Sequence, residues 1–253
     1  VQSLTNWKLT LEYDGTAFCG WQSQPEKCGV QDAVESAIEK IDGGFKRVSV
    51  AGRTDAGVHA LGQVCSVKLE KDWQDFRLIE ALNAHLRKLG KVAILDAQIV
   101  DDDFDARFSA TSRHYLYIIQ NRRAPATHLK NLVWQTPFRI DIDLMKQGSQ
   151  KLIGKHDFTT FRDLQCQAKS PIKTLDKFDI DLVQTSYGEQ IHCTLSAQSF
   201  LHRQVRSMVG TLVDVGRGRF SVSELVERLE ARDRKMCGEV APSDGLYLTK
   251  VGY

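Results

Sequence analysis

Arg53 and Asp55 lie two residues apart in Ala51-Gly52-Arg53-Thr54-Asp55-Ala56-Gly57-Val58-His59-Ala60, the strongest local setting for chemistry in this chain. A carboxylate can act as a nucleophile on a sugar carbon or an activated ring. For that it must stay ionised in a partly dry pocket, whereas burial alone raises its pKa. A cation pressed against it restores the charged form. Arg53 is one candidate. Arg206, in an apolar stretch that reads as a helix over 200–215, is the better candidate for a buried pair, with Leu201, Val205, Met208, Val209 and Leu212 to hold the helix. The same residues also fit a plainer reading, in which Asp55 bonds back to its own turn and the two arginines are solvated surface cations.

The elements around the loop decide how rigidly such a carboxylate is held. Residues 47–50 and the alternation over 62–69 predict strands on either side, and Gly52 and Gly57 allow backbone geometry or a close approach that a Cβ would obstruct. A strand is predicted over 7–12, a helix over 30–41 from its apolar stripe, a helix over 76–86 and a strand over 92–100. This order resembles a split βαβ unit. In the second half, strands are predicted over 113–120, 175–182, 191–197 and 246–248. Helices are predicted over 144–153, 200–215 and 221–232, the last opened by a Ser221/Glu224 capping box. The expected architecture is α+β: two mixed α/β lobes of ferredoxin-like character with antiparallel sheets, divided into residues 1–105 and 106–253.

Composition narrows the class. The chain of 253 residues is 42% hydrophobic and 26% charged, enough apolar content for a large core, and no run approaches a membrane span. The start, Val1-Gln2-Ser3-Leu4-Thr5, has neither the basic residues nor the apolar core of a secretory signal, so a cytoplasmic protein is expected. The six cysteines are dispersed without a C-x-x-C pair, which points to small buried hydrophobes rather than a disulfide scaffold or zinc site. No histidine spacing suggests a metal, no P-loop occurs, and Gly216-x-Gly218 follows a helix, unlike a dinucleotide-binding turn. The net charge of +2 conceals an asymmetry: residues 1–105 hold 12 Lys/Arg against 17 Asp/Glu, and residues 106–253 hold 22 against 15. The second half could therefore offer a basic surface to a polyanion, although solvated surface charge accounts for it equally.

Further motifs recur in order: Leu11-Glu12-Tyr13-Asp14-Gly15-Thr16 with Phe18, Gly20, Trp21 and Gln22; Phe104 to Ala110; Arg113 with Tyr115 and Tyr117; His156 to Arg162; Phe200 to Arg206; and Gly245-Leu246-Tyr247-Leu248. Together with the Gly52–Ala60 motif, this series resembles the bacterial tRNA pseudouridine synthase A family over nearly the whole chain. The resemblance implies the pseudouridine synthase fold, with a catalytic cleft between the lobes. It implies isomerisation of uridine to pseudouridine at positions 38, 39 and 40 of the tRNA anticodon stem-loop, by a cytoplasmic homodimer that needs no metal or organic cofactor.

Residue by residue, the resemblance makes Asp55 the reactive aspartate and Tyr115 the ring packed on the target base. Arg206 becomes the arginine paired with the aspartate, and Arg53 the loop arginine that helps hold the flipped nucleotide. Asp55 would either attack the sugar or abstract the C2′ proton, and Tyr115 would stack and could relay a proton. Arg107, Arg113, Arg122, Arg123, Lys169, Arg217 and Arg219 are the candidates for RNA contact, each readable equally as a solvated group. A noncatalytic tRNA- or RNA-binding protein is the alternative, though it would have little need of Asp55, Tyr115 and Arg206 together.

Overall fold

The computed structural model describes residues 4–253; residues 1–3, part of the stretch read for a signal, lie outside the described residues. The elements run β1 (Thr5–Tyr13), α1 (Val30–Asp42), β2 (Ser49–Val50), β3 (His59–Leu69), α2 (Asp75–Leu86), β4 (Val92–Ile99) and β5 (Ser112–Asn121). They continue with β6 (Trp134–Thr136), α3 (Ile142–Leu152), β7 (Gly154–Asp157), β8 (Ile172–Thr185), β9 (Gly188–Ala197), α4 (Gln204–Gly216), α5 (Val222–Ala231) and β10 (Leu246–Gly252). The fold is α+β.

Two compact units result, one of residues 1–113 with 247–253 and one of residues 114–246. The expected division at 105/106 therefore moves to 113/114, and the C-terminal strand returns to the first unit. The reason is pairing: β10 runs parallel to β3, with Tyr247 opposite His59 and Leu248 opposite Ala60. The Thr111 N–H also donates to the Gly252 carbonyl.

In the first unit the strands lie in the order β4-β1-β3-β10, with β2 on β3. β1 is antiparallel to both β3 and β4, whereas β10, parallel to β3, departs from the all-antiparallel expectation. Alternation along β1 buries Trp7, Leu9, Leu11 and Tyr13 on one face. The α1 stripe of Val30, Val34, Ala37, Ile38 and Ile41 is buried, and Leu78, Leu82 and Leu86 do the same for α2. The strand expected over 47–50 shortens to Ser49–Val50.

In the second unit the order is β5-β9-β8-β7, with the short β6 parallel to β5. α3 packs on β8, α4 and α5. Asp141 caps α3 by accepting the Asp143 and Leu144 N–H groups, and the expected Ser221/Glu224 capping box opens α5.

Two local expectations are corrected. α4 begins at Gln204 rather than at 200, because Arg203 adopts a left-handed φ of 58° and the Leu201 N–H is taken by the Gln204 side chain. Cys19 and Cys28 are joined in a disulfide, nine residues apart, because the chain doubles back before α1 and brings their Cα atoms to 5.4 Å. Cys65 and Cys193 are buried as expected, while Cys166 and Cys237 are half-buried.

Candidate active site

The segment carrying Arg53 and Asp55 fills the gap between β2 and β3, with Arg53 exposed and Asp55 half-buried. A loop has no hydrogen-bond ladder of its own, so its precision must come from its neighbours. Here they act on Ala51, Gly52 and Thr54. The Ala51 N–H donates to Val64 O at 2.9 Å, and Ala51 O accepts from Arg113 Nε and Nη2 at 3.2 and 2.7 Å. Gly52 O accepts from Gln63 Nε2 at 2.8 Å, and Thr54 O accepts the Trp21 N–H at 3.0 Å. Val58 N–H closes the turn onto Asp55 O at 3.1 Å, with Gly57 at a φ of 79° that favours glycine.

Beneath the loop lies a buried polar chain. Gln63, wholly excluded from solvent on β3, also donates to Tyr13 Oη at 3.2 Å, and Tyr13 Oη lies 2.7 Å from Thr54 Oγ1. Burial outweighs the bonds from Thr54 and Gln63 and pushes the Tyr13 hydroxyl up to about 12, so it keeps its proton. Gln63 Oε1 accepts the Val64 N–H, which leaves the side chain satisfied at both ends.

Two glycines allow the segment after β1 to close on the loop. A Cβ on Gly15 would lie 2.1 Å from Val58 O, and one on Gly20 would lie 2.7 Å from Thr54 O. At the far end, His59 Nδ1 accepts the Gly15 N–H at 3.1 Å, so that nitrogen carries no proton. Its 3.4 Å approach to Asp14 is therefore not an ion pair, and the His59 ring stacks on Tyr247 at 4.6 Å. Burial raises the Asp14 carboxyl, but hydrogen bonds from Lys91 and Thr16 prevail and bring it down to about 2.

Tyr115 and Arg206 belong to the second unit. Tyr115 is buried on β5, its ring meeting Phe200 edge-on at a centroid distance of 5.2 Å. Arg206 is half-buried in the first turn of α4; its Nε donates to Ala241 O at 2.8 Å while its own carbonyl accepts the Ala241 N–H at 3.1 Å. The helix beneath is rigid, with Val205, Met208, Val209 and Leu212 all buried. Ahead of it, Arg203 Nη1 donates to Asp163 Oδ2 at 3.0 Å, and His202 Nδ1 lies 3.6 Å from Asp163 Oδ1. Burial raises the Asp163 carboxyl, yet the Gln165 N–H and the Arg203 charge hold it below its usual range.

The expected RNA-contacting cations fall into two groups. Arg107, Arg123 and Lys169 are exposed, Arg107 lying 5.4 Å over the outward-turned ring of Phe108. The others are engaged within the protein. Arg122 donates to Ala124 O, Pro125 O and Tyr187 O; Arg217 lies 3.7 Å over Phe138; Arg219, though also exposed, pairs with Asp214 at 2.9 Å. Arg113 corrects the expectation of a surface cation: it is buried, and besides Ala51 O its guanidinium reaches the carbonyls of Ala110 and Arg107. In this position it braces the start of the Asp55 loop.

Among the described residues, no group of three or more His, Cys, Asp or Glu side chains is arranged to hold a metal ion. Sequence reasoning singled out Tyr13 and Trp21 only as motif members and gave Gln63 and Phe200 no role at the site. Gln63 beside the apolar Val64 and Cys65 was the available signal for it. The helix expected from 200 hid Phe200, which in fact precedes it.

The sequence pattern of the family described as tRNA pseudouridine synthase matches residues 10–109 and 149–253. The chain belongs to this family. It is 53% identical over 251 residues to a tRNA pseudouridine synthase A of Mesorhizobium japonicum, covering 99% of this chain and 100% of that one. A protein of the same name from Rhodopseudomonas palustris strain BisA53 is 54% identical over 250 residues, covering 99% of this chain and 100% of the relative. One from Caulobacter sp. strain K31 is 51% identical over 250 residues, at 99% and 98% coverage. The matched regions include the Asp55 loop, the end of β1 from Thr10, β3 and α4, whereas Tyr115 lies between them.

Proposed function

We propose that this member of the family converts uridine to pseudouridine at positions 38, 39 and 40 of the tRNA anticodon stem-loop, with Asp55 as the reactive carboxylate. Isomerisation of uridine in tRNA follows from family membership. The observation that supports Asp55 is the loop itself: a half-buried carboxylate on a segment anchored at Ala51, Gly52 and Thr54 by side chains or N–H groups of other elements.

The reaction breaks the bond from C1′ to N1, turns the uracil, and joins C1′ to C5. N1 gains a proton and C5 loses one, so the balance needs no redox partner. Asp55 serves either by attacking the sugar carbon or by taking the C2′ proton. Tyr115 packs on the base and keeps it from leaving, Arg206 pairs with the Asp55 carboxylate, and Arg53 holds the displaced nucleotide. Extruding a base from a helix costs a few kcal/mol, offset by stacking and phosphate contacts. The exposed Arg107, Arg123 and Lys169 are suited to such contacts. Reading backbone and shape rather than bases fits action on three neighbouring sites. A cytoplasmic homodimer, with tRNA as its partner, completes the proposal.

The test is release of label from tRNA carrying tritium at uracil C5. The wild-type protein releases it, and Asp55→Ala stops release while binding of the same tRNA persists. Release that continues at the wild-type rate in Asp55→Ala removes Asp55 from the reaction.

A further inference from the structure

The Cys19–Cys28 pair closes the neck of a short excursion between β1 and α1, and both sides of the neck are tied down. The Cys19 N–H donates to Cys28 O at 3.0 Å. The next residue, Gly20, lies against the backbone of Thr54, Asp55 and Ala56, and its carbonyl accepts the Val30 N–H at 3.1 Å. Trp21 then holds Thr54 O through its N–H, while its carbonyl accepts the Gln31 N–H at 2.9 Å. On the other strand of the neck, Gly29 packs so closely on Gln22 that a Cβ would lie 2.5 Å from its carbonyl oxygen. The covalent tie thus sits one residue from the backbone that supports Asp55.

The pair is also open to chemistry. Cys19 is exposed and Cys28 half-buried, so a small thiolate can reach the bond. Cys65 and Cys193 are poor competitors: both are buried, and burial pushes Cys65 up to about 12. In a reducing compartment a disulfide of this kind is transient or redox-sensing rather than a permanent staple.

We propose that Cys19–Cys28 is a thiol–disulfide modification site whose state sets how firmly the Asp55 loop is held. The effect on turnover rests on the uridine-isomerase reading above. A dithiol reductant opens the site: its thiolate attacks Cys19 Sγ, Cys28 departs as a thiolate and takes up a proton. The reductant's second thiol then attacks the mixed disulfide, freeing Cys19 and closing a cyclic disulfide. Two electrons and two protons pass to the protein pair. A disulfide oxidant such as oxidised glutathione reverses the exchange.

Opening the pair removes a constraint at the neck without removing any hydrogen bond to the loop, so the loop loosens rather than unfolds. The experiment treats the full chain with dithiothreitol or oxidised glutathione and reads three quantities. Peptide mass mapping reports the state of Cys19 and Cys28, hydrogen exchange reports protection of residues 51–58, and C5-tritium release reports kcat and KM. In the dithiol state the loop exchanges faster and kcat is about tenfold lower, with KM for tRNA unchanged. The C19S/C28S variant behaves as the dithiol form under both treatments. Cysteines that stay reduced under oxidant overturn the proposal, as do loop exchange and kcat that agree within about twofold between the states. If loop exchange differs between the states but neither releases label, the coupling stands and the isomerase reading fails.

Discussion

The loop of Asp55 and the helix of Arg206 hold their charged groups by opposite means. Residues 51–58 have almost no internal hydrogen bonding and depend on Arg113, Gln63, Tyr13 and the Trp21 N–H from other elements. Arg206 stands on α4, whose residues 207–216 are buried throughout, so its backbone is fixed by the helix ladder and apolar packing. The first arrangement spreads positional control over distant side chains. The second concentrates it in the helix, leaving the guanidinium as the sensitive part. Mutations remote from the charged group should therefore disturb the first unit's chemistry more than the second's.

The largest effect is expected for Arg206→Ala. It should lower single-turnover label release by about a hundredfold to a thousandfold, as loss of one charged partner does, while thermal melting changes little because α4 keeps its buried face. An unchanged single-turnover rate would remove Arg206 from the reaction. Gln63→Leu tests the other side of the contrast. It leaves Gly52 O and the Tyr13 hydroxyl without their donor, at about 1–3 kcal/mol of stability, and loop displacement should reduce kcat about tenfold or more. Denaturant unfolding and tritium release measure the two effects, and full activity in a destabilised Gln63→Leu would break the comparison. Tyr13→Phe, which removes the bonds to Thr54 and from Gln63 but leaves Gly52 O its donor, should cost about 1 kcal/mol and have a smaller kinetic effect than Gln63→Leu.

The smallest effect concerns Asp14, at the edge of the same support. Its carboxyl is lowered from its ordinary value of 3.8 to about 2. The charged form is thus favoured on folding, and this contribution is complete above the unfolded pKa. It is lost as pH falls from about 4 through about 2. Asp14→Asn should flatten the fall in stability over that window, measured by denaturant midpoints at successive pH values. An identical acid limb in the two proteins would show that Asp14 does not supply it.

Much of the fold was legible because burial imposes periodicity. The α1 stripe and the alternation of β1 are direct records of one buried face each, and both were placed within two residues of their ends. The short β6 and β7 left no readable period and were missed. The start of the helix that carries Arg206 was placed too early, since apolar content at 200 and 201 continued the pattern while the left-handed Arg203 broke the chain direction. Arg113 looked like a surface cation because its sequence neighbours say nothing of the three carbonyls that surround its guanidinium.

By itself the sequence determined the chemistry-bearing motif, the secondary elements with a strong period, and, through an ordered series of motifs, the family. These are properties of residue types at fixed spacing, and spacing survives without coordinates. Tertiary structure alone decided that the last strand returns to β3, that Gln63 and Tyr13 lie beneath Gly52 and Thr54, and that Cys19 meets Cys28 beside them. Each joins residues whose approach depends on how the chain turns between them, which local propensity does not encode. The Asp55 carboxylate could be read from the sequence; what holds it in place could not.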